Sequence, residues 1–510
     1  MKLTLFTIFL FGKFLSMAQN PVGIFSNQAD IGKPKLSGAA TFNSDDQSYN
    51  LKGSGYNIWF GRDEFHYAYN KIKGDFILTG NFRILGKGVD PHRKTGWMVR
   101  ANESEDAAHM TAAVHGDGMI ALQWRRLRGA YMRDPQDEIF TKKRATEIIQ
   151  LERLGNIFIM RVAHPGEPLQ EIGRTDGIEM PDEVLVGIFM CSHNADVVEE
   201  CQAWNVRIEQ TVPDTHNGYR DGILGSKMEI MNVFDGKRKI IHEDKGRFEA
   251  PNWMPDGKSL LFNQDGSIYT IPLTGGTPTR INTGAAKRNN NDHVISFDGK
   301  WLAISSHRDG MTGGGSTVYY LPLTGGEPTI ITDSTPSYLH GWSKDGKEVV
   351  YTAQRIVKSP IYNIYKKSIR EGGAEVQLTN LTKGLADGPE YSPDGKYIYY
   401  NSTESGTMQL WRMNTDGKEQ KQLTFDEYNN WFAHISPDNK WIAFISFPNT
   451  VEPTDHPFYK RVMLRLMPVS GGAPKVIGYL YGGQGTINTP SWSPDSRSIA
   501  FVSNSGPVFK

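Results

Sequence analysis

Three histidines, His293, His340 and His434, and two carboxylates, Glu390 and Asp387, stand a few residues ahead of a recurring turn aspartate, and these side-chain types do chemistry together. Counting back from the six aspartates, the residue five earlier is Pro251, His293, His340, Pro389, Ala433 or Pro490, and Glu390 and His434 lie four earlier. Seven earlier lie Glu249, Asn291, Tyr338, Asp387, Trp431 and Asn488. Imidazoles beside carboxylates suit a divalent metal such as zinc, iron or manganese, so His293, His340 and His434 are the expected metal ligands. An imidazole also serves as a general base near neutral pH, which makes His293, His340, His434, Glu390 and Asp387 the catalytic candidates. Arg308 or Arg355 would then take a substrate carboxylate in bidentate fashion. Asn291, Asp292, His307, Tyr338, Trp431, His456 and Tyr459 complete the expected ligand site. The competing reading is that all of them are channel-lining polar residues satisfied by water and neighbouring strands.

The elements that must position these groups repeat. MPDGKSLLF, SFDGKWLAI, SKDGKEVVY, SPDGKYIYY, SPDNKWIAF and SPDSRSIAF place their aspartates at 256, 298, 345, 394, 438 and 495, in steps of 42, 47, 49, 44 and 57 residues. That is the period of a four-stranded propeller blade, so six copies predict six blades. Pro presets φ for a type I turn, Asp caps it, and Gly takes the left-handed position. A second hairpin recurs as IYTIPLTGGTPTRI, VYYLPLTGGEPTII and LRLMPVSGGAPKVI. The first hairpin, Met228 to Ile241, precedes any such turn, and the last turn has no hairpin after it, which predicts one blade completed from both ends. The turns and Gly-Gly hairpins share one rim, and the histidines fall on the other.

Lys plus Arg and Asp plus Glu both number 56, so no net field favours nucleic acid or an anionic membrane. Lys2, the apolar Leu3 to Gly12 and Ser16-Met17-Ala18 read as a secretory signal over 1–18, cleaved after Ala18. The run is too short to span a bilayer, and no cysteine stands near the cleavage site to take a lipid anchor. The expected location is therefore periplasmic or secreted. Cys191 and Cys201 flank the turn SHNAD, and a disulfide or two buried thiols fit equally.

Residues 20–212 lack the repeat and show longer alternating strands, such as DFILTGNFRIL, TGWMVRA and VLVGIFMCSH, which predict an antiparallel sandwich. Trp59, Asp63, His66, Tyr67, Trp97, Arg100, His115, Gln123 and Trp124 are its candidate ligand contacts, with core the commoner fate for Trp97 and Trp124. Residues 213–224, rich in Asn, Asp and Gly, read as a linker to a second domain over 225–510.

The turn repeat resembles the TolB-like propellers with their WD40-like short repeats, from about Gly225 to Lys510. GYNIWFGRDEFHYAY, DPHRKTGWMVRA and GIFMCSHN resemble concanavalin-like jelly roll domains of the DUF1349 type. The expected fold is all-β, a jelly roll sandwich followed by a six-bladed propeller with a shared closing blade. The resemblance implies an exported protein that binds a glycan or another envelope polymer at one propeller rim. Segments such as NNNDHVISFDGKWLAISSH and NNWFAHISPD are more distantly similar to oligogalacturonate lyases, which implies a metal-assisted lyase or hydrolase of acidic oligosaccharides as the alternative. A protein-interaction scaffold of TolB type is the third reading. No Gly-x-Ser-x-Gly elbow, HExxH helix or phosphate loop occurs.

Overall fold

The structure, a computed structural model, describes residues 21–175, 177–356 and 359–505. The expected signal segment lies outside the described residues. Apart from one 3-10 turn at Thr312–Gly315 the described chain is all β, and no helix in it is long and apolar enough to cross a membrane.

Residues 21–210 build two seven-stranded antiparallel sheets. One runs Asn27–Ile31, Phe65–Lys73, Glu183–Cys191, Lys94–Arg100, His109–His115, Ile120–Arg125, Glu138–Phe140. The other runs Gln170–Thr175, Ile157–Ala163, Ile148–Leu154, Phe76–Ile84, Asn194–Gln210, Ser48–Gly55, Ala39–Asn43. Alternation decides what each strand buries. In Lys94–Arg100, Trp97 and Val99 enter the core between the sheets, while Met98 joins a second apolar cluster on the outer face with Tyr67 and Phe189. Trp97 is fully buried and donates from Nε1 to the Ile149 carbonyl at 3.2 Å. Asp63 is likewise buried, accepting from Arg100 at 2.7 Å and Arg125 at 2.6 Å. Tyr67, Arg100, His115 and Gln123 are buried, so this set is mostly framework rather than an exposed binding face. Both cysteines are free, because Cys201 faces the inter-sheet core and Cys191 the outer cluster.

The second half is a six-bladed propeller. Five sheets have four strands, beginning with Phe248–Trp253, Asn289–Ile295, Ser337–Trp342, Ala386–Tyr391 and Asn429–Ile435. The sixth pairs Ser226–Asn232 with Arg238–Asp244 on one side and Ser498–Ser503 on the other. The turn repeat carries a device beyond Pro, Asp and Gly. Ser296, Ser343, Ser392, Ser436 and Ser493 each donate to the turn aspartate at 2.6–2.8 Å and accept an N–H five residues on, as from Trp301 and Tyr397 at 3.0 Å. Asn439 and Ser496 take the left-handed position held elsewhere by Gly, with φ of 57° and 60°. The outermost strands of the first four blades are two or three residues long, whereas Lys475–Gly482 has eight and Arg238–Asp244 seven.

Those two long outer strands are where the two-sheet unit rests. Val476 bonds to Gly166 at 3.0 Å, Tyr479 donates to the Glu167 carbonyl, and Gln47 exchanges two 2.9 Å bonds with Ile240. Between them Glu229 of the sixth blade, wholly buried, takes Arg207 of the two-sheet unit at 2.7 Å and Arg238 at 2.7 Å. A bulge in Asn194–Gln210 after Trp204, with Asn205 at φ 52°, turns Arg207 toward this partner. Residues 213–224 are pinned as well. The Tyr459 hydroxyl accepts the Leu224 N–H at 2.9 Å and that of Tyr481 accepts Val212 N–H at 3.1 Å, so Tyr459, expected at a ligand rim, anchors the connector instead.

Burial alone would raise the Glu229 carboxyl, but the two guanidinium groups outweigh it and hold it at about 2, below the usual 4.5. A depressed carboxyl stabilises above its unfolded value, and that contribution fades as pH falls toward the folded one. Glu229→Gln is expected to flatten urea-measured stability between about pH 4.5 and 2. Arg207→Met at pH 7 is expected to cost about 2–4 kcal/mol in the same assay, since it leaves a buried carboxylate half-neutralised.

Candidate functional site

Every regular inner strand of the propeller is interrupted at one place. Register shifts fall between Glu249 and Asn252, Asn289 and His293, Leu339 and Gly341, Asp387 and Glu390, and Trp431 and His434. Ala250, Gly388 and Phe432 sit there with φ of 54°, 60° and 57°. A bulge leaves one residue unpaired and re-aims its neighbours, and here it turns them toward the channel mouth.

There a cavity of about 760 Å³ is lined by Asn291, Asp292, Tyr338, His340 and Asp387 from inner strands and by Asn488 from the segment leading into the sixth blade, with His307, Tyr362, Phe432, His456 and Gln484 around them. His340 Nε2 lies 3.2 Å from Asp387 Oδ1, and its ring stacks 5.9 Å from Phe432. Burial opposes the His340 cation, yet Asp387 and Asp292 outweigh it and hold the imidazole above its usual range. For Asp387, burial is outweighed in turn by His340, and the carboxyl stays low. Asp292 makes no ion pair within 4 Å among the described residues; burial pushes it up to about 6, with His340 and a hydrogen bond from Asn290 opposing and Asp387 adding. Glu249 is pushed up to about 7 by burial against the pull of Arg247, and its Oε1 has no hydrogen-bond partner. His456 is lowered by burial and packs 4.5 Å from Trp431.

Several expected residues go elsewhere. His434 spends both ring nitrogens at 2.6 Å, on Glu390 and on the Ile487 carbonyl, so the pair braces two inner strands. His293 is fully buried beside Ala250 and Leu261, in contacts too poorly aligned for hydrogen bonds, and burial lowers it to about 4. The three imidazoles therefore do not assemble as metal ligands, and among the described residues no group of three or more His, Cys, Asp or Glu side chains is arranged for a metal. Arg355 is bound to Glu375 at 2.6 Å and Arg308 to Thr317 at 3.0 Å; neither lines the cavity. Trp431 is core, and His307 reaches the cavity while its Nδ1 pairs with the Gly314 carbonyl at 2.8 Å.

Tyr219, Tyr362 and Gln484 were not anticipated. Tyr219 comes from the connector, its ring 5.1 Å beneath the Arg247 guanidinium and 5.1 Å from Phe458. An aromatic in a stretch otherwise built of turn residues was the signal available. The assembled mouth offers carboxylates beside tyrosine rings, which is chemistry for holding a cation.

No family model matches the chain. An uncharacterized protein of Agrobacterium fabrum is 42% identical over 282 residues, covering 55% of this chain and 93% of that protein. The Tol-Pal system protein TolB of Francisella tularensis is 24% identical over 283 residues; the match takes in 52% of this chain and only 59% of that TolB. The solved structure of a TolB-type protein from Agrobacterium tumefaciens is 42% identical, with a TM-score of 0.51, covering 55% of this chain and 99% of its own.

Asp292 and Glu249 are raised carboxyls, so the fold favours their neutral forms and loses stability as pH rises through about 6 and about 7. Asp292→Asn and Glu249→Gln are each expected to gain roughly 2–3 kcal/mol at pH 8 and almost nothing at pH 4, by urea unfolding.

Proposed function

Since this chain belongs through its propeller to the TolB-like β-propeller family, we propose that it is a binding scaffold whose channel mouth receives a Lys- or Arg-bearing segment of a partner protein. The observation that carries this is the pairing of two aspartates, Asp292 and Asp387, with three tyrosines, Tyr219, Tyr338 and Tyr362, around one open cavity of about 760 Å³. A guanidinium or ammonium gains from a carboxylate and from a ring face at once, and gains more where water is thinned. His340, shared between the carboxylates, fixes Asp387 in place while leaving Asp292 to the incoming charge.

In this reading the two-sheet unit, 20–212, is a concanavalin-like jelly roll, 213–224 is a connector that delivers Tyr219, and 225–510 is a ring closed by a blade shared between its ends. Export is part of the proposal, supported by the basic, apolar and small-residue order of the first 18 residues. An envelope component is then the natural partner.

The test is fluorescence anisotropy with labelled peptides centred on Lys or Arg against matched peptides centred on Glu. Basic peptides are expected to bind, more tightly at pH 7 than at pH 5 because Asp292 loses its proton near 6. Asp387→Asn is expected to weaken them at least about tenfold and, because the His340 pair is lost, to lower the melting temperature somewhat while circular dichroism stays that of the folded protein. Preference for the Glu peptides, or indifference to Asp387→Asn, rejects the proposal.

A further inference from the structure

A second cavity, about 800 Å³, lies away from the channel mouth, between the two-sheet unit and the fifth and sixth blades. Contacts between the two units bound it. At one end, Asn205 Nδ2 donates to the Gly236 carbonyl at 2.9 Å and Asn205 Oδ1 accepts the Arg238 N–H at 2.9 Å; at the other, Val476 meets Gly166. The walls between are aromatic on both sides. Trp204 stands on the two-sheet side with the Arg83 guanidinium 5.2 Å over its ring. Phe234 and Trp441 line the cavity from the propeller, 5.9 Å apart and edge to face; Arg497 lies over one face of Phe234 at 5.8 Å, and Phe234 is 53% exposed.

Most charges in this cleft are already spent. Arg83 pairs with Glu147, Lys237 with Asp46 and Arg238 with Glu229, while Asp235 and Lys475, one of each sign, make no ion pair among the described residues. Neutral hydrogen-bonding groups are not spent: among the described residues neither the Gln202 amide nor Asn81 Nδ2 has a side-chain partner. An anionic or cationic ligand would find one lone counter-charge at most, Lys475 or Asp235, with the opposite charge in the same cleft. A neutral, polyhydroxylated chain would find ring faces for its C–H surfaces and free amides for its hydroxyls.

We propose that this inter-unit cleft is a second binding site, for an uncharged oligosaccharide, with Phe234 and Trp441 as stacking platforms, Trp204 as the buried wall behind the Arg83 guanidinium, and Gln202 and Asn81 as hydroxyl partners. It is independent of the channel mouth, whose aspartates select for charge.

Calorimetric titration of the full chain with neutral hexasaccharides, β-1,4-linked glucose, xylose, mannose and N-acetylglucosamine and α-1,4-linked glucose, tests it, with hexagalacturonate and a Lys-centred peptide as charged comparators. At least one neutral hexasaccharide is expected to bind one-to-one. Phe234→Ala, at an exposed position, is expected to weaken it roughly three- to tenfold, and Gln202→Ala to weaken it as well. Asp387→Asn is expected to leave it unchanged, so that failure of this site and failure of the channel mouth read out separately. Binding of none of the neutral sugars, a preference for hexagalacturonate, or binding indifferent to both Phe234→Ala and Gln202→Ala overturns the proposal.

Discussion

A buried carboxylate between two arginines governs the arrangement of the whole molecule. Glu229 cannot be left alone in an apolar setting, because an unpaired charge there costs several kcal/mol. Arg238, from its own blade, supplies one counter-charge, and Arg207 must come from the other unit. The bulge at Asn205 that delivers Arg207 also leaves Trp204 lining the inter-unit cleft. With the units held in that pose, the connector has one short path, across Tyr459 and Tyr481, and that path carries Tyr219 to the channel mouth. Two cavities thus inherit their geometry from one ion triad.

The propeller was legible because its turns state their own chemistry. Six aspartates at a blade-like spacing, each with Pro or Gly beside it, determine strand boundaries before any long-range contact is known. The serine two residues earlier, present in five of the six copies, could have been read too, since a hydroxyl there reaches both the aspartate and the N–H that opens the next strand. The row seven residues before each aspartate proved informative: Asn291, Tyr338, Asp387 and Asn488 all line the mouth.

The metal set failed for a reason that counting cannot see. The bulge shifts the pairing between rows, so His340 and His434, one row apart, end on opposite errands: one opens onto the cavity, the other braces Glu390 between neighbouring blades. Arg355 was taken by Glu375, a partner twenty residues away on the outermost strand of its own blade. In the two-sheet unit the expected contacts were mostly framework because the outer face of the first sheet is itself packed, with Ile58 and Phe65 covering what alternation alone would leave open.

The outer strands of the propeller differ in length, and the difference marks where the two-sheet unit rests. Strands of two or three residues at the rim offer too few free N–H and C=O groups to recruit another chain. The eight-residue Lys475–Gly482 and seven-residue Arg238–Asp244 would offer long ladders, and they are the strands the two-sheet unit sits against. Stripped of that cover, the ring would present two adhesive edges side by side, and chains would find one another through them. In this chain the N-terminal unit covers both of those edges.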